Sequence, residues 1–451
     1  MALLLSACAS LDMAPVNAPL APTAAASPRT PASGGDTGIV MAFSGGGARS
    51  AAFGFGALQA LAAQASDTGQ GRSLADDVVV VSGVSGGAIL ASYFALNGPA
   101  GLDLFQRRFL DQDVEAGLRT SLTPANLLRA YQGGANDLSG LPAWLDAHLF
   151  HGATFGSLDR ADRPRLVVHA TDLYNRAPFI FDRASFSALC SNLDSYPLSH
   201  AVAASAAVPI VFSPIVLRNF NGDCPVSPAT QWRQLSATRS ADRTLTERDY
   251  QEAIARYRTE PDLNFLKLYD GGLVDGLGTQ SLVHLMRRAS PEPLSPAQAL
   301  RLQRVVFIVV DASTRIGGDM SQTAAAPNAV EAIVGATDAL IDSASRHGVD
   351  ALRGEARAWR DKVVRWRCAR QPRPAGCANF SVEVIRIALA DVTEHQQRRR
   401  ILALHNKLTL KPEDVSLIVG LGRGLLAADP TFRRSLAKPP RGLAGPAIAQ
   451  R

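Results

Sequence analysis

The chain has 451 residues, of which 47% are hydrophobic and 19% charged, with a formal net charge of +6. That length is enough to bury a large core, and the composition fits a well-packed globular protein rather than a strongly basic nucleic-acid binder. Arg-rich runs at Arg365–Cys377 and Gln396–Arg400 read as solvated helix faces, and no apolar run of about 18 residues follows the N-terminus to span a bilayer.

In chain order the first feature is MALLLSAC. Its Leu5-Ser6-Ala7-Cys8 resembles the lipobox at which bacterial lipoproteins are cleaved and acylated on cysteine, although the usual positive n-region is missing. Residues 1–7 therefore read as a truncated lipoprotein signal and Cys8 as a lipidation site, with Ala9 favouring the outer membrane. A cytoplasmic chain with an ordinary apolar start is the alternative. Residues 8–37 are rich in Ala, Pro and Ser and read as a flexible tether.

Order begins at Ile39–Phe43, a short apolar run ending in Gly45-Gly46-Gly47 and followed by helix formers from Ser50 to Gln64. The same strand, turn, helix pattern recurs at once in Val78–Val81, Gly83–Gly87 and Ala88–Leu96. A strand apolar at every residue is covered on both faces, as in a parallel sheet between helices. Further strands are predicted at Arg165–Asp172, Asn264–Gly272, Arg304–Ser313 and Val382–Leu389, with helical segments between them, so the fold class is α/β. Residues 321–451 read as a helical C-terminal extension of the same domain with one added strand.

Gly83-Val84-Ser85-Gly86-Gly87 fits the G-x-S-x-G elbow, in which small neighbours let the chain turn sharply and lift a serine hydroxyl off the sheet. The pattern is common by itself. Here a buried strand precedes it and a helix follows, so Ser85 is a candidate nucleophile, with a structural turn serine as the bland reading. Attack on an ester creates an oxyanion, and Gly45, Gly46 and Gly47 can turn successive N–H groups toward one point, with the charge of Arg49 beside them. A dinucleotide or phosphate loop fits poorly, because Ser50 stands where G-x-G-x-x-G needs glycine.

Ser85 also needs a base. Asp270, in LKLYDGGLVDGLG, lies just past a strand and before two glycines, at the sheet edge where the elbow opens. A free aspartate, with a pKa of about 3.9, is a weak base, so the site must desolvate it or bond it directly to the serine. A turn or cap aspartate is the competing reading. His169 and His200 read as core histidines, and no Cys/His spacing suggests a metal.

Taken together, G-G-G-x-R, G-x-S-x-G, D-G-G and the segment Ala201–Ile215 (AVAASAAVPIVFSPI) resemble the patatin-like phospholipase family over about Ile39 to Leu277. The resemblance implies a three-layer fold with a mainly parallel central sheet covered by helices, in a catalytic domain at 38–320. It also implies a lipid acyl hydrolase with a Ser85–Asp270 dyad, an oxyanion hole at Gly45, Gly46, Gly47 and Arg49, and no catalytic histidine or cofactor. The substrate is expected to be phospholipid or lysophospholipid at a membrane surface. Residues 218–262 are longer than the family pattern leads one to expect. They read as a lid, a lipid-docking element containing Trp232, or a passive insertion. Two alternatives stand beside this reading: an α/β-hydrolase esterase with a triad using His284 or His347, and an inactive lipid-binding envelope protein. Cys190, Cys224, Cys368 and Cys377 form two sequence-local pairs that suit disulfides in an oxidising compartment, with buried free thiols as the alternative.

Overall fold

The computed structural model describes residues 11–20, 35–66, 71–119, 123–160, 162–224, 244–288, 290–314, 324, 326, 329–404 and 406–437. Among these, eight strands form one sheet: β1 (Thr37–Phe43), β2 (Val78–Gly83), β3 (Arg165–Asp172), β4 (Ala177–Ile180), β5 (Ile215–Arg218), β6 (Phe265–Tyr269), β7 (Arg304–Asp311) and β8 (Ser381–Ala388). The order is β5-β6-β3-β2-β1-β7-β8, with β4 also paired to β3. β3, β2, β1, β7 and β8 run parallel, whereas β4, β5 and β6 are antiparallel to their neighbours.

β2 and β7 are buried at every residue, as their continuous apolar sequences require of strands covered on both faces. The cover comes from the principal helices α1 (Gly47–Ala62), α2 (Gly86–Asn97), α3 (Pro124–Gln132), α4 (Leu198–Ser205), α5 (Leu245–Thr259), α6 (Thr279–Arg287), α7 (Ala329–Cys368) and α8 (Pro412–Ala428). In the β1 register Phe43 faces both Gly83 and Val310. The ends of the three central strands therefore lie at one level, and the loops that follow them share one edge of the sheet.

β4 and β5 were absent from the sequence reading. Each has four residues, too few to show a period, and β4 contains Pro178. In the C-terminal segment β8 pairs with β7 along its whole length, and α8 lies across α1. A methyl on Gly422 of α8 would collide with Phe53 O, and one on Gly56 of α1 would collide with Val419 O. The two helices meet backbone to backbone through these glycines.

Two expectations need correction. The tether at 8–37 is not free where it is described: Asn17 is buried, donating to Arg218 O (2.8 Å) and Ser191 Oγ (3.0 Å) and accepting from Arg218 N (2.9 Å). Leu20 N donates to Cys190 O (2.7 Å), so residues 11–20 form a strap along the body. Cys8 lies outside the described residues. In the 218–262 insertion, α5 is neither a lid nor a passive excursion. Its Tyr250 and Tyr257 are fully buried, Tyr250 stacks on His284 with ring centroids 4.2 Å apart, and Tyr257 Oη donates to Asp172 Oδ2 (2.9 Å). Trp232 lies outside the described residues. Both cysteine pairs are disulfides, Cys190–Cys224 and Cys368–Cys377.

The α1–α8 contact makes a paired prediction. Gly422→Ala should cost about 1–3 kcal/mol by overpacking. Gly424→Ala, two residues on, meets nothing within 4 Å and should stabilise by up to about 1 kcal/mol through helix propensity. Thermal unfolding of the two variants checks the signs.

Candidate active site

β2 delivers the chain to the central edge, and the elbow follows from local packing. A methyl on Gly83 would collide with Gly87 O, and one on Gly87 with Ser44 O, so both flanking positions of the motif exclude any other residue. Ser85 takes φ 52° and ψ −122°, a conformation that L side chains rarely adopt and that persists only where the surroundings enforce it. It is also the one residue from Val78 to Ala95 that is not buried. The turn thus presents the hydroxyl-bearing residue to the outside while α2 begins at Gly86 behind it, bringing unpaired N–H groups and the positive end of its dipole to the same place.

The glycine loop closes on this turn. A methyl on Gly86 would collide with Gly47 O, and one on Gly45 would lie 3.6 Å from Ser85 Cβ. Gly46 and Gly47 have φ of +130° and +61°, which only glycine adopts freely. Gly45 N–H is spent on Gly276 O (2.9 Å), so it does not serve as an oxyanion donor. Among the described residues, the N–H groups of Gly46, Gly47 and Gly86 have no acceptor, and these three are the donors the loop offers.

Arg49 lies beside the glycine loop, its Nη2 3.2 Å from where a methyl on Gly46 would stand, but its hydrogen bonds go to the C-terminal part of the chain. It is buried, and its guanidinium donates to Ala312 O (3.1 Å), Leu404 O (2.5 Å) and Asn406 Oδ1 (2.8 Å). With Ala48 N donating to Lys407 O (2.7 Å), it fastens the glycine loop to the C-terminal segment. This bracket was invisible to sequence reasoning, because its partners lie some 355 residues apart.

Asp270 follows β6 and is only 2% exposed. Its Oδ1 accepts from Gly272 N (2.7 Å), and its carbonyl accepts from Thr171 Oγ1 (2.7 Å). The β3 registers place it level with the elbow: Gly83 pairs with Val168, and Tyr269 pairs with Thr171 on the other side. Two residues past Gly83 and one past Tyr269 both arrive opposite Ala170. The first D-G-G glycine is needed because a methyl on Gly271 would collide with His169 O. The second aspartate of the motif, Asp275, caps α6 by accepting from Thr279 N (3.1 Å) and Ser281 N (3.0 Å).

One segment holds both candidates. Ser205, at the end of α4, accepts from Ser85 N (3.0 Å) through its Oγ, and Ala207 O accepts from Asp270 N (2.9 Å). The AVAASAAVPIVFSPI stretch thus clamps the turn and the acid from positions two residues apart. The stretch was recognisable in the sequence, but the role of Ser205 was not.

The described histidines have other surroundings, although His169 packs against Gly271. Burial pushes His169 below the usual imidazole range, against the opposing charge of Asp275, and its Nε2 lies 3.2 Å from Asp275 O. His200 is likewise lowered by burial. His284 shares a 2.6 Å hydrogen bond with Glu247 Oε2 through its Nδ1 and is covered by Tyr250, which argues against it as the base of a triad. The side chain of His347 lies outside the described residues. Among the described residues, no cluster of His, Cys, Asp or Glu has the geometry to hold a metal.

An elbow serine, a glycine loop and a buried aspartate at one edge of an α/β sheet define a hydrolase-type site. The model of the patatin-like phospholipases matches residues 41–283, more than half of the chain, and the chain belongs to that family of lipid ester hydrolases. No curated protein sequence matches it. Among solved structures, human GIVD cytosolic phospholipase A2 resembles it with a TM-score of 0.39 at 13% identity, over 89% of this chain and 62% of the human one. VipD from Legionella pneumophila resembles it at 0.29 and 15% identity, over 86% and 67%. The chain thus corresponds to less than two thirds of the human enzyme's length.

The clamp makes a prediction. Ser205→Ala removes the acceptor that holds Ser85 N–H and leaves the core volume nearly unchanged. It should lower kcat on a soluble ester by about tenfold or more through misplacement of the nucleophile, with Tm nearly unaltered. Unchanged kcat would mean that the turn holds itself.

Proposed function

We propose that the chain is a serine lipid acyl hydrolase in which Ser85 is the nucleophile and Asp270 its base. The observation that carries this reading is the Ser85 turn itself: a strained, outward-facing serine at a helix N-terminus, clamped by the segment that also holds the buried carboxylate. In the first half-reaction Ser85 Oγ bonds to the ester carbonyl carbon while its proton passes to Asp270. The N–H groups of Gly46, Gly47 and Gly86 receive the developing oxyanion. The intermediate collapses as Asp270 returns the proton to the departing alcohol, leaving acyl-Ser85. Water then adds to the acyl carbon, giving its proton to Asp270, and fatty acid leaves as Ser85 is reprotonated.

The substrate class is phospholipid or lysophospholipid, and the chemistry calls for no metal or organic cofactor. We place the enzyme in the cell envelope as an acylated outer-membrane protein, a reading supported by the Leu5-Ser6-Ala7-Cys8 stretch and by two disulfides suited to an oxidising compartment.

The test is fatty-acid release from mixed phospholipid and lysophospholipid vesicles. Ser85→Ala and Asp270→Asn should each lose at least about a thousandfold in turnover, as removal of members of a catalytic unit does elsewhere. His284→Ala should keep turnover per folded molecule within about threefold, although it will cost stability by leaving Glu247 buried without its partner. Activity retained in Asp270→Asn and lost in His284→Ala would replace the dyad with a triad.

A further inference from the structure

Among the principal helices, α3 turns large apolar side chains outward. Leu127, Leu128 and Tyr131 are 52%, 58% and 91% exposed, and the helix contains no acidic residue. Its inner side is held by a polar anchor instead of a core: Arg129 is buried, donating to Ala135 O (3.2 Å) and pairing with Asp137 Oδ2 (2.6 Å). A soluble helix normally shows the reverse arrangement, with its apolar stripe inward.

Two features of the surroundings bear on what covers this face. First, the chain just past α3 is tied to the loop that follows the acceptor of Asp270 N. Ala135 N and Asn136 N, just past α3, donate to Ile210 O and Val211 O (3.0 Å each). Those acceptors belong to Val208–Phe212, the wholly apolar, partly open loop that directly follows Ala207, the acceptor of Asp270 N. Ile210 in that loop is 38% exposed and has φ 75°, a strained conformation for a β-branched residue. Second, the N-terminal chain arrives here. Asp12 N donates to Asp137 Oδ2 (3.2 Å), the carboxylate that also anchors Arg129, and a methyl on Gly133 would lie 3.8 Å from Leu11 Cδ1. The three steps back from Leu11 to Cys8 span at most about 10 Å.

We propose that α3 and the Val208–Phe212 loop form the face that docks on a lipid bilayer. Leu127, Leu128, Tyr131 and Ile210 enter the interface, and the mouth of the Ser85 site opens onto it. Leucines at the acyl boundary with a tyrosine at headgroup level suit a short interfacial helix. An acyl group on Cys8 would lie within three residues of Leu11, which borders this face. The choice of a bilayer as occupant rests on the lipid-hydrolase reading; the exposure and placement of the patch do not.

The test separates the two. Full-length chain carrying Cys8→Ser and Ser85→Ala, which can neither be acylated nor turn over, is mixed with vesicles of phosphatidylethanolamine and phosphatidylglycerol, and partitioning is read by flotation. Leu127→Ser/Leu128→Ser/Tyr131→Ser should lower the partition coefficient by at least about tenfold, since each side chain forfeits its apolar transfer. Leu300→Ser, an exposed apolar position on the helix Pro296–Arg301 at the opposite edge of the sheet, should not lower it. With Ser85 restored, the triple variant should keep turnover of a soluble short-chain ester and lose turnover on vesicles. Equal partitioning of parent and triple variant, or no binding by the parent, would overturn the docking face. Binding that depends on α3, without lipid turnover by the Ser85 enzyme, would support the face and overturn the hydrolase reading instead.

Discussion

The site depends on one close approach: the carbonyl of Gly47 against the Cα of Gly86, with no room for a side chain between them. That contact joins the turn after β1 to the turn after β2, and it fixes the distance from the Ser85 hydroxyl to the N–H groups that would hold an oxyanion. Neither turn would keep its shape alone. Ser85 has a backbone conformation that costs of order 1–3 kcal/mol when unsupported, and Gly46 and Gly47 have positive φ values that leave a glycine chain many alternatives. The support comes from Ser205 on one side and from the C-terminal segment at Leu404–Lys407 on the other.

This dependence explains why the C-terminal third is not an appendage. β8 completes the parallel sheet, α8 is pressed onto α1, and the stretch between them carries the acceptor for Ala48 and two of those for Arg49. α1 begins at the glycine loop, so holding α1 from behind also holds the loop. The N-terminal strap likewise ties distant parts together, bonding to Asp137, Ser191 and Arg218.

Much of this was legible in the sequence where the signal is local. Val78–Val81 announces a strand covered on both faces, and the glycines at 83 and 87 announce the turn, because burial and tight turning each leave a mark within a few residues. Asp270 was legible through its two following glycines, and the structure traces the need for the first to contact with His169. What was not legible depends on long separations. Ser205 meets Ser85 across 120 residues, and Arg49 meets Leu404 across 355, with no local pattern in either case. For Arg49 the residue was noticed but its fastening was not: a charge beside a glycine loop suggests an anion, whereas the guanidinium also bonds two backbone carbonyls and Asn406 Oδ1. The insertion helix was left open for a different reason. Tyr250, Ile254 and Tyr257 recur at helical spacing and mark a buried face, but the reading of 218–262 followed its length and not this spacing.

The central claim is that Ser85 is activated by Asp270. The direct measurement is intact-mass and peptide-level analysis of the chain after treatment with a fluorophosphonate, which phosphonylates activated serines and halts there. The account predicts a single adduct on the peptide carrying Ser85, formed at a rate that collapses in Asp270→Asn. An adduct on a different residue, or labelling of Ser85 at the same rate without the Asp270 carboxylate, would contradict it.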